Sequence, residues 1–320
     1  MTFPLPLHTH LRDVGPLVYG CMALGGDWGG GPLTEADVAH AHEAVEAALA
    51  IGIKLFDHAD IYRRGKAEAV FGELLKRDPG LRGQVRLQSK CGIRFGDDAN
   101  VGRYDLSSDY IEHSVDGILK RLGVEHIDIL LLHRPDPLMQ PTEVARAFGR
   151  LKAAGKVGHL GVSNMHAGQM RWLQSALSEP LVANQLELSL AKLDAIDVGT
   201  TFNDPQAATR PGGIGWAGTL EYAQQHGVQL QAWGSLAQGR FSDPSASAAA
   251  KVVHEIAETH HTTANAVLLA WLLRHPAGIQ PVIGSGNAER IRACGDAVRI
   301  QLSREAWYRL YVAARGQALP

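Results

Sequence analysis

The sequence predicts an α/β protein that folds as a (β/α)8 TIM barrel with eight parallel strands and an extra C-terminal helix. Three observations support this prediction: eight short apolar runs, helix-like segments between most of them, and a length of 320 residues. Short runs rich in valine, isoleucine and leucine are typical of parallel strands that are buried on both faces. Eight such strands favour a closed barrel, because an open doubly wound sheet usually has fewer. We therefore expect one barrel domain that covers residues 1–320.

The predicted strands and helices alternate along the chain. The strands are the runs at 17–22, 54–57, 85–90, 127–133, 158–164, 181–187, 228–233 and 279–284. Amphipathic segments with capping residues predict helices between most of them. Thr34 is a suitable N-cap, Gly123 and Gly155 are stop signals, and Pro276 ends a further helix. The predicted helices span residues 34–50, 108–122, 142–154, 264–274 and 303–314, and the last one follows the eighth strand.

The composition excludes several classes of function. The formal net charge is −2, and 45% of the residues are hydrophobic while 20% are charged. These values do not fit a nucleic-acid-binding or membrane-surface protein. No apolar run has the length of a membrane span, and the N-terminus lacks the pattern of a signal peptide. Three widely spaced cysteines fit a reducing compartment. We therefore expect a cytoplasmic protein without a nucleic-acid or membrane partner, and the oligomeric state stays open.

Polar residues end several of the predicted strands. Asp57, Lys90 and His133 end the second, third and fourth runs, and Tyr62 follows five positions after Asp57. In a barrel, the carboxyl ends of the strands meet on one face, which carries the active site. Because an unpaired buried charge is costly, these side chains can be accommodated only if they converge. A helix cap or a turn is the ordinary alternative for Asp57, and a solvated side chain is the alternative for Lys90.

The contexts of these residues resemble those of a known enzyme family. Asp57, Tyr62, Lys90 and His133 occur in FDHADIY, LQSKCG and LLLHRPDP, and three further matching segments read GKVGHLGVSN, ANQLELS and PVIGSGNAERI. The order and contexts of the four residues resemble the catalytic tetrad of the aldo-keto reductase superfamily. Each segment alone is a weak signal, but together they cover nearly the whole chain and are specific.

The resemblance implies an NADPH-dependent oxidoreductase that reduces an aldehyde or ketone to an alcohol, or catalyses the reverse reaction. Tyr62 would be the general acid. A free phenol titrates near pH ~10, too high for acid–base catalysis at neutral pH, and a nearby ammonium lowers that pKa. Lys90 would supply the ammonium, and Asp57 would hold Lys90 in place. His133 would hydrogen-bond the substrate carbonyl or relay the proton.

The resemblance also implies which residues bind the nicotinamide half of the cofactor. Ser163, Asn164 and Gln185 match residues that hydrogen-bond the carboxamide, which needs both donors and acceptors. Trp233 stands where an aromatic residue stacks on the nicotinamide ring. The residues matched to the pyrophosphate are Leu236, Gln238 and Arg240.

The segment after the eighth strand is matched to the adenosine half. Its Gly-Ser-Gly turn offers backbone N–H groups at the start of a helix, which is a natural phosphate site. The matched residues are Gly284, Ser285, Gly286 and Arg290. Because Ser285 and Arg290 match the binding site of the adenosine 2′-phosphate, we expect NADPH rather than NADH. Ala293 and Cys294 replace polar residues that many members carry for the adenine, so the strength of this preference stays open.

Two other interpretations stay open. The chain could bind NADPH as a sensor or regulatory subunit with little turnover, although all four tetrad residues are present. It could also be a metal-dependent hydrolase of the amidohydrolase type, whose ligands would include His8, His10, His133 and His159. The segment before His8 contains two prolines and makes a poor barrel strand, which argues against the hydrolase. We expect no metal.

Two segments are candidates for the substrate pocket. Trp28 follows the first strand, and the glycine- and proline-rich segment at 199–215 follows the sixth. An exposed loop aromatic without a role is an equal alternative for Trp28. We expect a small-molecule carbonyl or alcohol substrate. Its identity and the physiological direction of the reaction stay open, because pockets of this family are built from variable loops.

Overall fold

Eight parallel strands form a closed barrel, as predicted. The computed structural model describes residues 4–29, 31–200 and 213–320. The barrel strands, numbered β1 to β8, are Val18–Gly20, Leu55–Asp57, Arg86–Cys91, Ile127–Leu132, Val157–Ser163, Ala183–Glu187, Gln229–Trp233 and Gln280–Ile283. Each strand pairs with its neighbours in sequence, and β8 closes the barrel on β1 with Val18 opposite Val282. The predicted strands agree with these bounds to within two residues.

Helices surround the barrel. They are α1 Glu35–Ala50, α2 Lys66–Arg77, α3 Leu81–Gln84, α4 Ser108–Leu122, α5 Pro141–Ala153, α6 Ala167–Gln174, α7 Asp194–Asp197, α8 Thr219–His226, α9 Ala248–Thr259, α10 Ala264–Leu273, α11 Ala288–Cys294 and α12 Arg304–Arg315. The predicted helices correspond to α1, α4, α5, α10 and α12 to within one residue, and α12 is the extra C-terminal helix. Within the described ranges, no helix combines the length and the apolar composition needed to cross a membrane.

The start of α1 confirms the predicted cap. The Thr34 hydroxyl accepts a hydrogen bond from the Asp37 N–H at 3.2 Å, and the Asp37 carboxylate accepts one from the Thr34 N–H at 2.9 Å. This reciprocal pair satisfies two backbone donors that the helix itself leaves without partners.

Two of the elements that were not predicted depart from the alternation of one strand and one helix. The alanine-rich helix α9, capped by Ser247, stands between β7 and α10, so this strand is followed by two helices. A short antiparallel hairpin joins Ile93–Arg94 to Arg103–Tyr104 between β3 and α4. Both lie in connections, where the alternation of strand and helix gives no guidance.

The N-terminal segment closes the end of the barrel opposite the carboxyl ends of the strands. A short 3₁₀ helix, Pro6–Thr9, places Leu7 in the barrel interior beside Val18 and Leu55. The Leu7 N–H donates to the side chain of Gln229, the first residue of β7. His8 and His10 therefore lie at the opposite end of the barrel from His133, which follows the last residue of β4. This placement contradicts the hydrolase interpretation, which needs these histidines around one metal.

Helix α2 packs closely against the end of α4 at a glycine. A Cβ atom built on Gly72 would lie 2.3 Å from the carbonyl oxygen of Arg121 and 3.0 Å from that of Leu122. Both neighbouring atoms belong to the backbone, so no side chain can move aside. The contact between the two helices at this point therefore requires glycine.

We expect Gly72→Ala to lower the free energy of unfolding by about 1–3 kcal/mol, because the helices must separate to accept the methyl group. The matched control is Gly149→Ala in α5, where a Cβ would meet nothing within 4 Å. The control should raise stability by about 0.5–1 kcal/mol, since alanine favours a helix over glycine. Urea denaturation of both variants tests the prediction, and equal stability of the two would contradict it.

Candidate active site

The four tetrad residues converge at the carboxyl end of the barrel. Asp57 is the last residue of β2, Lys90 lies near the end of β3, and His133 follows β4. In β2, Leu55 and Asp57 share the interior face, because side chains alternate along a strand. Tyr62 reaches the same point from the short 3₁₀ helix that follows β2. The strand ends and their alternation thus bring together side chains that are distant in sequence.

The ammonium group of Lys90 is fully engaged. It donates to Asp57 Oδ2 at 2.6 Å, to the His58 carbonyl at 2.9 Å and to the Tyr62 hydroxyl at 3.0 Å. These bonds use all three donors of the group. Burial acts to lower the pKa of Lys90, but the adjacent Asp57 and Tyr62 outweigh it and leave the pKa above its ordinary value. Lys90 is therefore a charged lysine, although its side chain is only 1% exposed.

Opposing effects set the pKa of Tyr62. Burial raises the pKa of the phenol, the Lys90 ammonium lowers it, and the Asp57 carboxylate raises it again. The net result is a pKa above that of a free phenol. The effect of Lys90 has the expected direction, but it does not bring the pKa of Tyr62 below the ordinary value, because desolvation of the phenolate is the larger effect.

His133 is a neutral imidazole beside the phenol. Its ring lies perpendicular to the Tyr62 ring, with 5.9 Å between the ring centroids. Burial lowers the pKa of His133 well below its ordinary value, and the positive charges of Lys90 and Arg134 lower it further. Its Nδ1 atom is buried without a hydrogen-bond partner among the described residues. A neutral imidazole has one donor and one acceptor nitrogen, so it can donate to a carbonyl oxygen.

Ser163, Asn164, Gln185 and Trp233 form a second cluster on the same face of the barrel. The Ser163 hydroxyl donates to the Gln185 carbonyl at 2.9 Å and accepts from Asn164 Nδ2 at 2.7 Å. The Trp233 indole donates to Asn164 Oδ1 at 3.1 Å. This last bond was not predicted. The bond orients the amide of Asn164. A tyrosine at position 233 could not form it, because its ring carries no N–H group.

The residues matched to the phosphates lie beyond the ends of β7 and β8. Leu236, Gln238 and Arg240 lie in or beside the short 3₁₀ helix Ala237–Gly239. Gly284, Ser285 and Gly286 precede α11, whose N-cap is Asn287. The Tyr19 hydroxyl donates to the Ser285 carbonyl at 3.0 Å and ties this turn to β1. Arg240 and Arg290 are exposed. Cys294 is buried and faces the core, so its thiol lies away from any ligand on the α11 surface.

Sequence reasoning missed two buried glutamines inside the barrel, Gln88 and Gln231, and their link to the predicted Gln185. Gln88 Nε2 donates to Asp57 Oδ1 at 2.6 Å and to Gln231 Oε1 at 2.8 Å. Gln231 Nε2 donates back to Gln88 Oε1 at 3.2 Å, and Gln185 Nε2 donates to Gln231 Oε1 at 3.1 Å. A signal was present in the sequence, because glutamine stands two residues before Lys90 and two before Trp233, on the interior face of each strand.

The rim of the site carries Trp28, which is 44% exposed. The guanidinium of Arg63, the residue after Tyr62, lies 5.2 Å from the centre of the Trp28 ring. Arg63 Nε also donates to the Met22 carbonyl at 3.0 Å, so the loops after β1 and β2 are joined here. Of the predicted segment 199–215, residues 201–212 lie outside the described residues.

Comparison with known proteins identifies the family. The model of the Aldo/keto reductase family matches residues 16–313. The chain belongs to the aldo/keto reductase family. It is therefore an oxidoreductase of a family that uses NADP(H). The tetrad geometry agrees with this membership, and the described residues contain no group of three or more histidine, cysteine, aspartate or glutamate side chains that could hold a metal ion.

Individual relatives support the same assignment. A 6-dehydroglucose reductase of Agrobacterium fabrum is 38% identical over 95% of this chain and 96% of its own length. The oxidoreductase YdhF of Escherichia coli is 38% identical over 86% of this chain and 88% of its own length. An aldo-keto reductase from Klebsiella pneumoniae, solved in complex with NADPH, has the same fold with a TM-score of 0.74. It is 23% identical, and the alignment covers 97% of this reductase and 94% of the other chain.

A buried histidine next to Asp57 generates a prediction about acid stability. His58 is fully buried against Phe71, and neither ring nitrogen has a hydrogen-bond partner among the described residues. Burial, reinforced by the charge of Lys90, lowers the pKa of His58 to about 3 from an ordinary value of 6.5. The unfolded chain therefore binds a proton below the ordinary pKa, whereas the folded chain does not. Above pH 6.5, His58 is neutral in both states and does not reduce the free energy of unfolding. As the pH falls from 6.5 toward about 3, protonation of the unfolded chain progressively lowers the free energy of unfolding.

Between about pH 7.5 and pH 5, we expect the free energy of unfolding of the wild type to fall by about 2 kcal/mol more than that of a His58→Leu variant. The figure follows from about 1.36 kcal/mol for each pH unit below the ordinary pKa of histidine. At neutral pH the variant should be at least as stable as wild type, since it removes two unpaired polar atoms. Denaturation curves at both pH values test this. His113→Leu, at an exposed position on α4, is the control and should follow wild type. A His58→Leu variant as acid-sensitive as wild type would contradict the prediction.

Proposed function

We propose that this reductase uses NADPH to reduce an aldehyde or ketone, that Tyr62 is the general acid, and that the substrate is a sugar-like carbonyl compound. One observation carries the catalytic assignment: the charged Lys90 ammonium donates to the Tyr62 hydroxyl at 3.0 Å. A phenol that accepts a hydrogen bond from an ammonium can release its own proton, because the phenolate that forms is stabilised by the positive charge.

The residues around the site suit both halves of the dinucleotide. Asn164 and Gln185 offer amide groups for a carboxamide, and the half-buried Trp233 offers an aromatic face. Arg240 and Arg290 are exposed guanidinium groups that have no ion pair with a described carboxylate, so both are free to bind phosphate groups. We assign Ser163 to the carboxamide and Ser285 to the 2′-phosphate, because their positions match those of the family residues that bind these groups.

Each tetrad residue has a distinct part in the proposed reaction. Bound NADPH supplies the hydride that the carbonyl carbon accepts. Tyr62 gives its phenolic proton to the carbonyl oxygen, so the substrate leaves as an alcohol, and the phenolate regains a proton from solvent. Lys90 stabilises the phenolate, and Asp57 balances the charge of Lys90 when the phenol is protonated. The neutral His133 donates a hydrogen bond that orients the carbonyl oxygen.

The proposed substrate class comes from the relatives and from the rim of the site. The Agrobacterium relative is named for an oxidised sugar, 6-dehydroglucose, and a second protein of that name, from Novosphingobium aromaticivorans, is 36% identical over 99% of this chain. The exposed indole of Trp28 offers a flat surface that can cover a sugar ring. Arg63 beside it supplies hydrogen-bond donors for hydroxyl groups.

We expect Tyr62→Phe to lower kcat for the reduction of a polyhydroxylated aldehyde by roughly 10² or more, the contribution of a positioned acid. The loss of NADPH absorbance measures the rate. Tyr308→Phe removes a hydroxyl from the surface of α12 and is the control, which should leave the rate unchanged. Comparable turnover by Tyr62→Phe and wild type would refute the role of Tyr62. If wild type binds NADPH but reduces no carbonyl compound, the sensor interpretation replaces the proposal.

We expect Arg290→Ala to raise the Kd for NADPH roughly tenfold or more, since a charge-assisted contact to the 2′-phosphate is worth about 1.5–3 kcal/mol. Binding of NADH, which lacks this phosphate, should not change. Arg292→Ala alters an exposed arginine two residues further along α11 and is the matched control. Titration of each protein with both cofactors tests the prediction. Equal weakening of NADPH and NADH would contradict the assignment of Arg290.

A further inference from the structure

Three buried glutamines connect the tetrad to the cofactor side of the site. Gln88, Gln231 and Gln185, which we name the glutamine chain, are each at most 2% exposed. Gln88 contacts Asp57, and Gln185 is the residue that the proposed function assigns to the nicotinamide carboxamide. Gln231 lies between them, and the hydrogen bonds of its side chain to described residues go to Gln88, Gln185 and Gln280 and not to the tetrad. The chain therefore joins two groups that act on different parts of the reaction.

The charge of Asp57 determines which way each amide points. A carboxylate only accepts hydrogen bonds, so Gln88 must turn its NH₂ group toward Asp57 Oδ1, which lies 2.6 Å from Nε2. The oxygen of Gln88 then faces Gln231 and accepts from its Nε2 at 3.2 Å. This contact places the oxygen of Gln231 where it accepts from both Gln88 and Gln185.

The same logic fixes the last amide of the chain. Because Gln231 presents an oxygen, Gln185 must donate its NH₂ group at 3.1 Å. The Oε1 atom of Gln185 has no hydrogen bond to a described residue and is left as an acceptor. A nicotinamide carboxamide carries an NH₂ group, for which an oxygen acceptor is the complementary partner. A reversed Gln185 amide would present a donor to that NH₂ group.

We infer that Asp57, acting through Gln88 and Gln231, fixes the orientation of the Gln185 amide so that it presents its oxygen to the nicotinamide carboxamide. Gln231 is thus a positioning residue for cofactor binding, although it has no hydrogen bond to a tetrad residue. The inference rests on the proposed function, because it requires Gln185 to bind the carboxamide. Asp57 gains a second part beside holding Lys90: it sets the polarity of a buried hydrogen-bond chain.

The test is Gln231→Met, which keeps the length and shape of the side chain and removes its hydrogen bonds. We expect its Kd for NADPH to rise roughly tenfold, the effect of one misoriented hydrogen bond. Its Kd for 2′-phospho-ADP-ribose, which lacks the nicotinamide, should not change. Gln280→Met is the matched control. Gln280 is as buried as Gln231 and approaches it only at 3.5 Å, and its own NH₂ group donates to the Gly15 carbonyl.

A second measurement separates positioning from a general loss of structure. If Gln231 acts through Gln185, a Gln185→Met, Gln231→Met double variant should bind NADPH no more weakly than Gln185→Met alone. Additive losses, or equal weakening for both ligands, would overturn the inference. Gln88→Met tests the chain from its other end, with the same expected result, if Gln231→Met does not fold.

The outcomes distinguish this inference from the proposed function. A wild-type protein that binds neither ligand refutes the proposed function itself. If Gln185→Met binds NADPH as wild type does, the assignment of Gln185 fails, and the inference fails with it. If Gln185→Met weakens NADPH binding while Gln231→Met and Gln88→Met do not, only the inference is overturned.

Discussion

The buried ion pair between Lys90 and Asp57 is the constraint on which the site depends. The two charged side chains are 1% and 2% exposed, and their closest atoms are 2.6 Å apart. Removing an ion from water costs several kcal/mol, and this cost is offset only when the partner is close and every remaining donor is satisfied. The third donor of Lys90 can be satisfied here by the phenol of Tyr62. The requirement that stabilises the buried ammonium is therefore the same one that places a positive charge beside Tyr62, the proposed proton donor.

Strand β3 carries charged hydrogen-bond networks on both of its faces. The inner one belongs to the tetrad, and the outer one attaches the strand to the surrounding helices. Lys90 points into the barrel, whereas Ser89 points outward and donates to the buried carboxylate of Glu68 at 2.6 Å. Arg121, from the end of α4, donates to the other oxygen of Glu68 at 2.7 Å. This outer network joins α2, α4 and β3, so the strand is held by the helix layer while its inner face is occupied by the tetrad. Asp57 and Glu68 each accept hydrogen bonds from donors on their own side of the sheet, so the two networks are independent of each other.

Features that repeat along the chain, and charged residues at unusual positions, were predictable from the sequence. Features that depend on contact between residues distant in sequence were not. Eight apolar runs are a repeated signal, so the barrel was predictable. Asp57 and Lys90 at strand ends are rare enough to stand out. In contrast, Gln88 and Gln231 are ordinary residues, and their role depends on facing each other across the barrel at 2.8 Å. The pKa of Tyr62 was likewise not predictable, since sequence identifies the lysine that lowers it but not the burial that raises it.

In the proposed function, the chemistry and the substrate selectivity belong to parts of the fold that tolerate substitution differently. The tetrad and the glutamine chain are buried, so the loss of one member leaves a polar group without a partner, at a cost of about 1–3 kcal/mol or more. Trp28 lies on a loop at the rim and is 44% exposed, so its replacement should cost little stability. The backbone of Arg63 nevertheless has a φ angle of +52°, and that of Arg64 has +56°, which non-glycine residues rarely adopt. This turn directs Tyr62 into the barrel and Arg63 toward Trp28, so one strained segment joins the proposed proton donor to the exposed rim.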